Sequence, residues 1–92
     1  MKVIFDPDFY RKYKKLDVRI QNSIDGSIRI YRKNPNDLQL NNHLLHEPYQ
    51  GYRSIDITAE YRALYEEMTV GEDTITYFVI FGTHDELYGI KN

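Results

Sequence analysis

Residues 52–81, Y-R-S-I-D-I-T-A-E-Y-R-A-L-Y-E-E-M-T-V-G-E-D-T-I-T-Y-F-V-I-F, decide the fold. Their pattern has a period of two. Ile55 and Ile57 fall on one face of an extended chain, and Tyr52, Ser54 and Asp56 fall on the other. Tyr61–Glu67 reads as a second strand and Thr74–Phe81 as a third, with Met68–Asp73 as the turn between them. Sequential strands joined by a turn containing glycine form an antiparallel sheet.

Upstream of Leu44 the period changes to 3.6. Ile20, Ile24, Ile28 and Tyr31 follow the series of a core-facing helix that Asp17 caps and Lys33-Asn34-Pro35 stops. Gly26 sits inside that helix at a cost of about 1 kcal/mol relative to alanine. A shorter helix precedes it, from Pro7 to about Leu16, with Phe9, Tyr13 and Leu16 as its apolar stripe. Asp6 suits the cap, Pro7 the first helical position, and Phe5 a staple against Tyr10. Lys2–Phe5 reads as a short strand. Residues 34–43 form a polar loop, with Leu38 and Leu40 as anchors. Helices followed by a run of strands imply an α+β fold: an N-terminal strand and a helical hairpin packed on a mostly antiparallel sheet. At 92 residues, without linker or repeat, the chain is expected to be one domain spanning residues 1–92.

Cysteine is absent, which excludes disulfides, thiol nucleophiles and thiolate metal sites. No apolar run approaches the roughly 20 residues of a membrane span, and Met1 leads directly into K-V-I-F with no targeting segment. A cytoplasmic protein is expected. The net charge of −2 conceals a polarity. Residues 1–46 hold nine Lys and Arg against five Asp and Glu, a net +4. Residues 47–92 hold three against nine, a net −6. Such asymmetry marks a directional partner surface or helices with lysine-rich solvated faces.

Downstream, Phe78–Gly89 reads F-V-I-F-G-T-H-D-E-L-Y-G. Thr83 and Glu86 have the spacing of a capping box, Asp85 suits the first turn of a helix, and Gly89 can end it. That leaves His84 and Tyr88, four residues apart on one face of a helical turn, as candidates for chemistry. His43 and His46 lie near Glu47 without a recognisable metal-ligand spacing, so neither a metal nor another cofactor is expected.

The ordered set H-L-L-H-E-P-Y-Q-G-Y-R-S-I-D-I-T-A-E-Y-R-A-L-Y from His43 and F-G-T-H-D-E-L-Y from Phe81 resembles the RelE/ParE superfamily of type II toxins, its YafQ-like branch in particular. The resemblance implies a ribosome-dependent mRNA endonuclease, neutralised in a hetero-oligomeric complex by an antitoxin protein and needing no metal. In that reaction the ribose 2′-OH attacks the adjacent phosphate while a proton passes to the leaving 5′-oxygen. Residue by residue, it makes His84 the general acid and Arg62 the holder of the scissile phosphate. His43, Asp56 and Glu60 occupy further catalytic positions, and Tyr88 and Arg53 positions for contacting RNA. Asp56 stands where YafQ-like members carry histidine, which exchanges a proton donor for an acceptor at neutral pH. The acidic second half also departs from the basic character expected of a ribosome-binding protein. It keeps two rivals in view: a ParE-like gyrase inhibitor without enzymatic activity, and an inactivated toxin that binds only its antitoxin.

Overall fold

The computed structural model describes residues 1–89. Five strands form one sheet: β1 (Lys2–Phe5), β2 (His43–Leu44), β3 (Arg53–Asp56), β4 (Tyr61–Val70) and β5 (Asp73–Thr83), in the order β1-β5-β4-β3-β2. Every neighbouring pair is antiparallel except β1 and β5, which run parallel. Helices α1 (Pro7–Lys14) and α2 (Val18–Lys33) connect β1 to the rest, and the short helix α3 (His84–Tyr88) follows β5 directly. This is the expected α+β arrangement.

The helix starts are set where the sequence places them. Asp6 accepts from the Asp8 N–H at 2.8 Å and Asp17 from the Arg19 N–H at 2.7 Å, each satisfying an orphan donor of the first turn. The staple differs from expectation. Phe5 packs on Phe9 and Phe78, with ring centroids 5.3 and 5.6 Å away, while Tyr10 is exposed. A ring on the edge-most strand gains more by joining the buried aromatic cluster than by covering a solvated helix face.

The main core lies between the helices and one face of the sheet. It contains Phe9, Ile24, Ile28, Tyr31, Leu40, Ile55, Ala63, Tyr65, Phe78 and Phe81. Phe78 and Phe81 are three residues apart, so an unbroken strand would point them to opposite faces. A bulge resolves this: Leu64 pairs with Ile80 and Tyr65 with Phe78, leaving Val79 as the extra residue. Both phenylalanines then reach the same core.

Two further expectations are corrected. The turn of residues 68–73 is much tighter, because Met68↔Ile75, Thr69↔Thr74 and Val70↔Asp73 still pair and only Gly71 and Glu72 link the strands. Gly71 has φ +64°, which only a residue without Cβ adopts freely. Leu38 is no anchor. It is 95% exposed, whereas Leu40, two residues on in a short 3-10 helix, is buried.

Candidate active site

On the opposite face of the sheet a second, smaller cluster joins Leu45, Leu64 and Leu87, with Tyr49, Tyr52 and Tyr88 packed around it. It fixes α3 against the sheet. The capping box forms as the spacing requires: Glu86 N–H donates to Thr83 Oγ1 at 3.1 Å, and Thr83 N–H to Glu86 Oε1 at 2.8 Å. That second bond holds the Glu86 carboxyl below its ordinary value; burial opposes it, and Lys12 nearby adds to the lowering. A Cβ at Gly82 would stand 2.9 Å from Glu86 Oε1 and would push the tip of that carboxylate aside. The His84 N–H donates to the Glu60 carbonyl at 2.9 Å, and the Tyr49 hydroxyl donates to the Leu87 carbonyl at 2.6 Å. Both ends of this five-residue helix are therefore tied down.

Beside α3 lies a groove of about 350 Å³. Its lining includes His43, His46, Ser54, Arg62, His84 and Tyr88. All three histidines of the chain therefore meet in one place. The His84 and Tyr88 rings are 4.7 Å apart between centroids. Burial raises the Tyr88 phenol above its usual value; the neighbouring Tyr49 adds to the shift, while Arg62 and Ser54 oppose it. His43 Nδ1 lies 2.8 Å from the Asn41 carbonyl. A carbonyl only accepts, so Nδ1 carries the proton and a neutral His43 presents Nε2 as a lone pair.

Arg62 reaches this groove in a constrained way. Its Nη1 donates to the carbonyls of Thr58, Ala59 and Tyr61 at 3.0–3.1 Å. Its Nε stands 3.0 Å from Asp56 Oδ1. Among the described residues the carboxylate oxygen nonetheless has no hydrogen-bond partner of good geometry, so that contact is a charge pairing. The guanidinium thus fastens the β3–β4 turn, and Nη2 is the only nitrogen of its fork without a partner among the described residues. Asp56 answers Arg62 and does not line the groove.

Two other sequence candidates lie apart. Glu60 keeps its side chain exposed in the turn and contributes its carbonyl to α3. Arg53 has the strand parity of Ile55, which faces the helices, and its Nε donates to Asn42 Oδ1 at 2.9 Å. Neither lines the groove. Conversely, His46 and Ser54 line it although motif spacing singles out neither as a catalyst. For Ser54 the signal was its place on the Tyr52–Asp56 face, directly opposite His43 in the β2–β3 register. Among the described residues no His, Asp or Glu group of three gathers as a metal site, and no helix is long and apolar enough to cross a membrane.

A three-layered fold is what this arrangement defines: helical hairpin, five-stranded sheet, and a short helix over the far face. The chain has the fold of the RelE/ParE toxins. YafQ from E. coli strain BL21(DE3) superposes with a TM-score of 0.75 at 21% identity, covering 96% of this chain and 98% of YafQ. A YoeB/ParE toxin from Agrobacterium tumefaciens gives 0.73 at 24% identity, covering 91% and 99%. The RelB–RelE antitoxin–toxin complex from Methanococcus jannaschii gives 0.63 at 21% identity, covering 97% and 99%. No protein-family model matches the sequence and no curated protein matches it.

Proposed function

We propose that this chain is the toxin of a type II toxin–antitoxin pair and that it cleaves mRNA on the ribosome without a metal. The reading is supported most by the groove itself, where His43, with Nε2 free to accept, lies in the same cleft as His84. Transesterification of RNA demands such a pair. The 2′-oxygen attacks phosphorus as its proton passes to His43 Nε2. The bond to the 5′-oxygen then breaks as His84 supplies that oxygen with a proton. The products are a 2′,3′-cyclic phosphate and a 5′-hydroxyl, and the two imidazoles exchange protonation states. General acid–base assistance of this kind contributes on the order of 10²–10⁴-fold.

Tyr88 supplies a ring against which a base stacks. Arg62 acts through the backbone: it holds the turn of residues 58–61, whose Glu60 carbonyl holds the first N–H of α3 and so the position of His84. The partner is a cognate antitoxin, as a RelB antitoxin is for the RelE of the Methanococcus jannaschii complex. The exposed hairpin end carrying Glu67, Glu72 and Asp73 offers charge to its basic residues. That same acidity favours the rival reading, a gyrase inhibitor on this fold, since fold alone does not fix function.

Purified protein added to mRNA-programmed ribosomes is expected to create new mRNA 5′ ends, and His84→Ala to slow their formation at least about 100-fold while remaining folded. A folded His84→Ala variant that cleaves as fast as the parent removes His84 from the mechanism. Intact mRNA together with gyrase-dependent DNA breaks replaces the nuclease reading with its rival.

A further inference from the structure

The floor of the groove holds a group that acid–base chemistry does not use. Ser54, in the middle of β3, is 1% exposed, and its Oγ has no hydrogen-bond partner among the described residues. It is close enough to Tyr88 to weigh on that phenol, yet it makes no well-formed bond with it. A buried hydroxyl left unpaired is destabilising, and such groups are uncommon in folded proteins. Its neighbours are suggestive: His43 lies directly across the β2–β3 ladder, and side chains opposite one another in such a pair stand on the same face. His46 lines the same groove and follows Leu45, which is buried in the groove-side cluster, so its backbone is anchored.

The charge balance points the same way. Arg62 is the groove's one permanent cation among the described lining residues, yet Asp56 is paired with it and three carbonyls take its Nη1. Little of that positive charge remains for a ligand. What the groove offers an anion is a hydroxyl and imidazole N–H donors.

We propose that the middle of β3 is a phosphate seat, in which Ser54 Oγ–H donates to a non-bridging phosphate oxygen and an imidazole N–H of His46 donates to the same anion. The assignment of that anion as the scissile phosphodiester rests on the nuclease reading; the seat itself rests on the unpaired hydroxyl and the surrounding imidazoles. Because Ser54 is 1% exposed beside Tyr88, seating the oxygen requires the Tyr88 ring to yield. Ser54 and His46 are binding residues that leave proton transfer to His43 and His84.

Removing an unpaired buried hydroxyl relieves the folded state, whereas removing a ligand donor weakens binding, so structure and function predict opposite signs for one substitution. Inorganic phosphate is titrated into the isotope-labelled full chain and followed by the amide of Ser54 and the ring protons of the three histidines. Ser54→Ala is expected to melt no lower than the parent and to bind phosphate about fivefold or more weakly. His46→Ala, a change at an exposed side chain, is expected to weaken binding by a similar factor without moving the melting temperature. The proposal is overturned if phosphate perturbs no groove resonance in the parent, or if Ser54→Ala binds as tightly. It is equally overturned if Ser54→Ala unfolds the protein, because the hydroxyl then has a structural partner. Ser54-dependent phosphate binding by a protein that leaves ribosomal mRNA intact upholds the seat and removes the nuclease reading. His84-dependent cleavage with Ser54-independent phosphate binding does the reverse.

Discussion

The two faces of the sheet are built from alternate residues of the same strands, yet they differ in kind. Toward the helices stand Phe9, Tyr31, Tyr65, Phe78 and Phe81 among aliphatic side chains. The buried hydroxyls there are paired, as Tyr31 and Thr76 are at 2.8 Å. Toward the groove the buried apolar cluster is three leucines among the described residues, tyrosines form the border, and Ser54 Oγ has no hydrogen-bond partner among those residues. Closely packed, satisfied interiors contribute most to stability, while incomplete satisfaction marks a place built for something else. One face holds the fold. The other carries the groove.

The largest test of that contrast is Phe78→Ala. Phe78 is fully buried and its ring contacts those of Phe5, Phe9, Tyr31 and Tyr65, with centroids 5.2–6.1 Å apart. Its removal is expected to cost about 3–5 kcal/mol, much of the roughly 5–15 kcal/mol that stabilises a domain. Denaturant unfolding measures it. A loss under about 1 kcal/mol would mean that the helix-side face is not the scaffold.

A smaller effect belongs to the groove face. Thr83→Ala removes one half of the capping box and is expected to cost about 1 kcal/mol, with the proposed mRNA cleavage falling further than global stability because α3 positions His84. The pH dependence gives this prediction its sign. The folded carboxyl of Glu86 titrates below its unfolded value, so its contribution is complete above the unfolded value near 4.5 and fades as pH falls through the lower, folded one. The parent should therefore lose part of the protection of α3 on acidification through that window, and Glu86→Gln should show no such loss there. Amide exchange of residues 84–88 reports both; a parallel acid response in the two proteins breaks the link between the box and the helix.

Much of this architecture is legible in the sequence. Periodicity gave the helices and strands, Asp6, Asp17 and Thr83 gave their caps, and ordered motifs brought His43, Arg62, His84 and Tyr88 under one heading. What was hidden depended on register. The bulge at Val79 is invisible to a period-two reading, because nothing local distinguishes an extra residue from a change of face. The β4–β5 strands run on through Thr69, Val70, Asp73 and Thr74, where polar residues resemble a loop but pair as an exposed ribbon. Arg53 looked like an RNA contact until strand parity turned it toward the helices. The motif casts Arg62 as the holder of the scissile phosphate and does not reveal that the turn carbonyls of Thr58, Ala59 and Tyr61 converge on its Nη1. Glu60 acts through its carbonyl, which no side-chain motif encodes, and Ser54 stands out only once its neighbours are known to leave it unpaired.

The smallest effect asks whether the two faces are independent. Gly26 lies inside α2, and a Cβ built there meets nothing within 4 Å, so Gly26→Ala removes backbone freedom from the unfolded chain without a clash. A gain of about 0.5–1 kcal/mol is expected, read as a higher denaturation midpoint with an unchanged slope. The next residue, Ser27, donates to the Asp56 carbonyl at 3.2 Å, and Asp56 is the partner of Arg62. A physical path therefore leads from α2 to the turn that anchors α3. If the faces are separate, the variant is more stable and the proposed mRNA cleavage runs at the parent's rate. A changed rate at equal ribosome binding would mean that stiffening α2 alters the position of His84 along that path, and the division of labour between the faces would have to be redrawn.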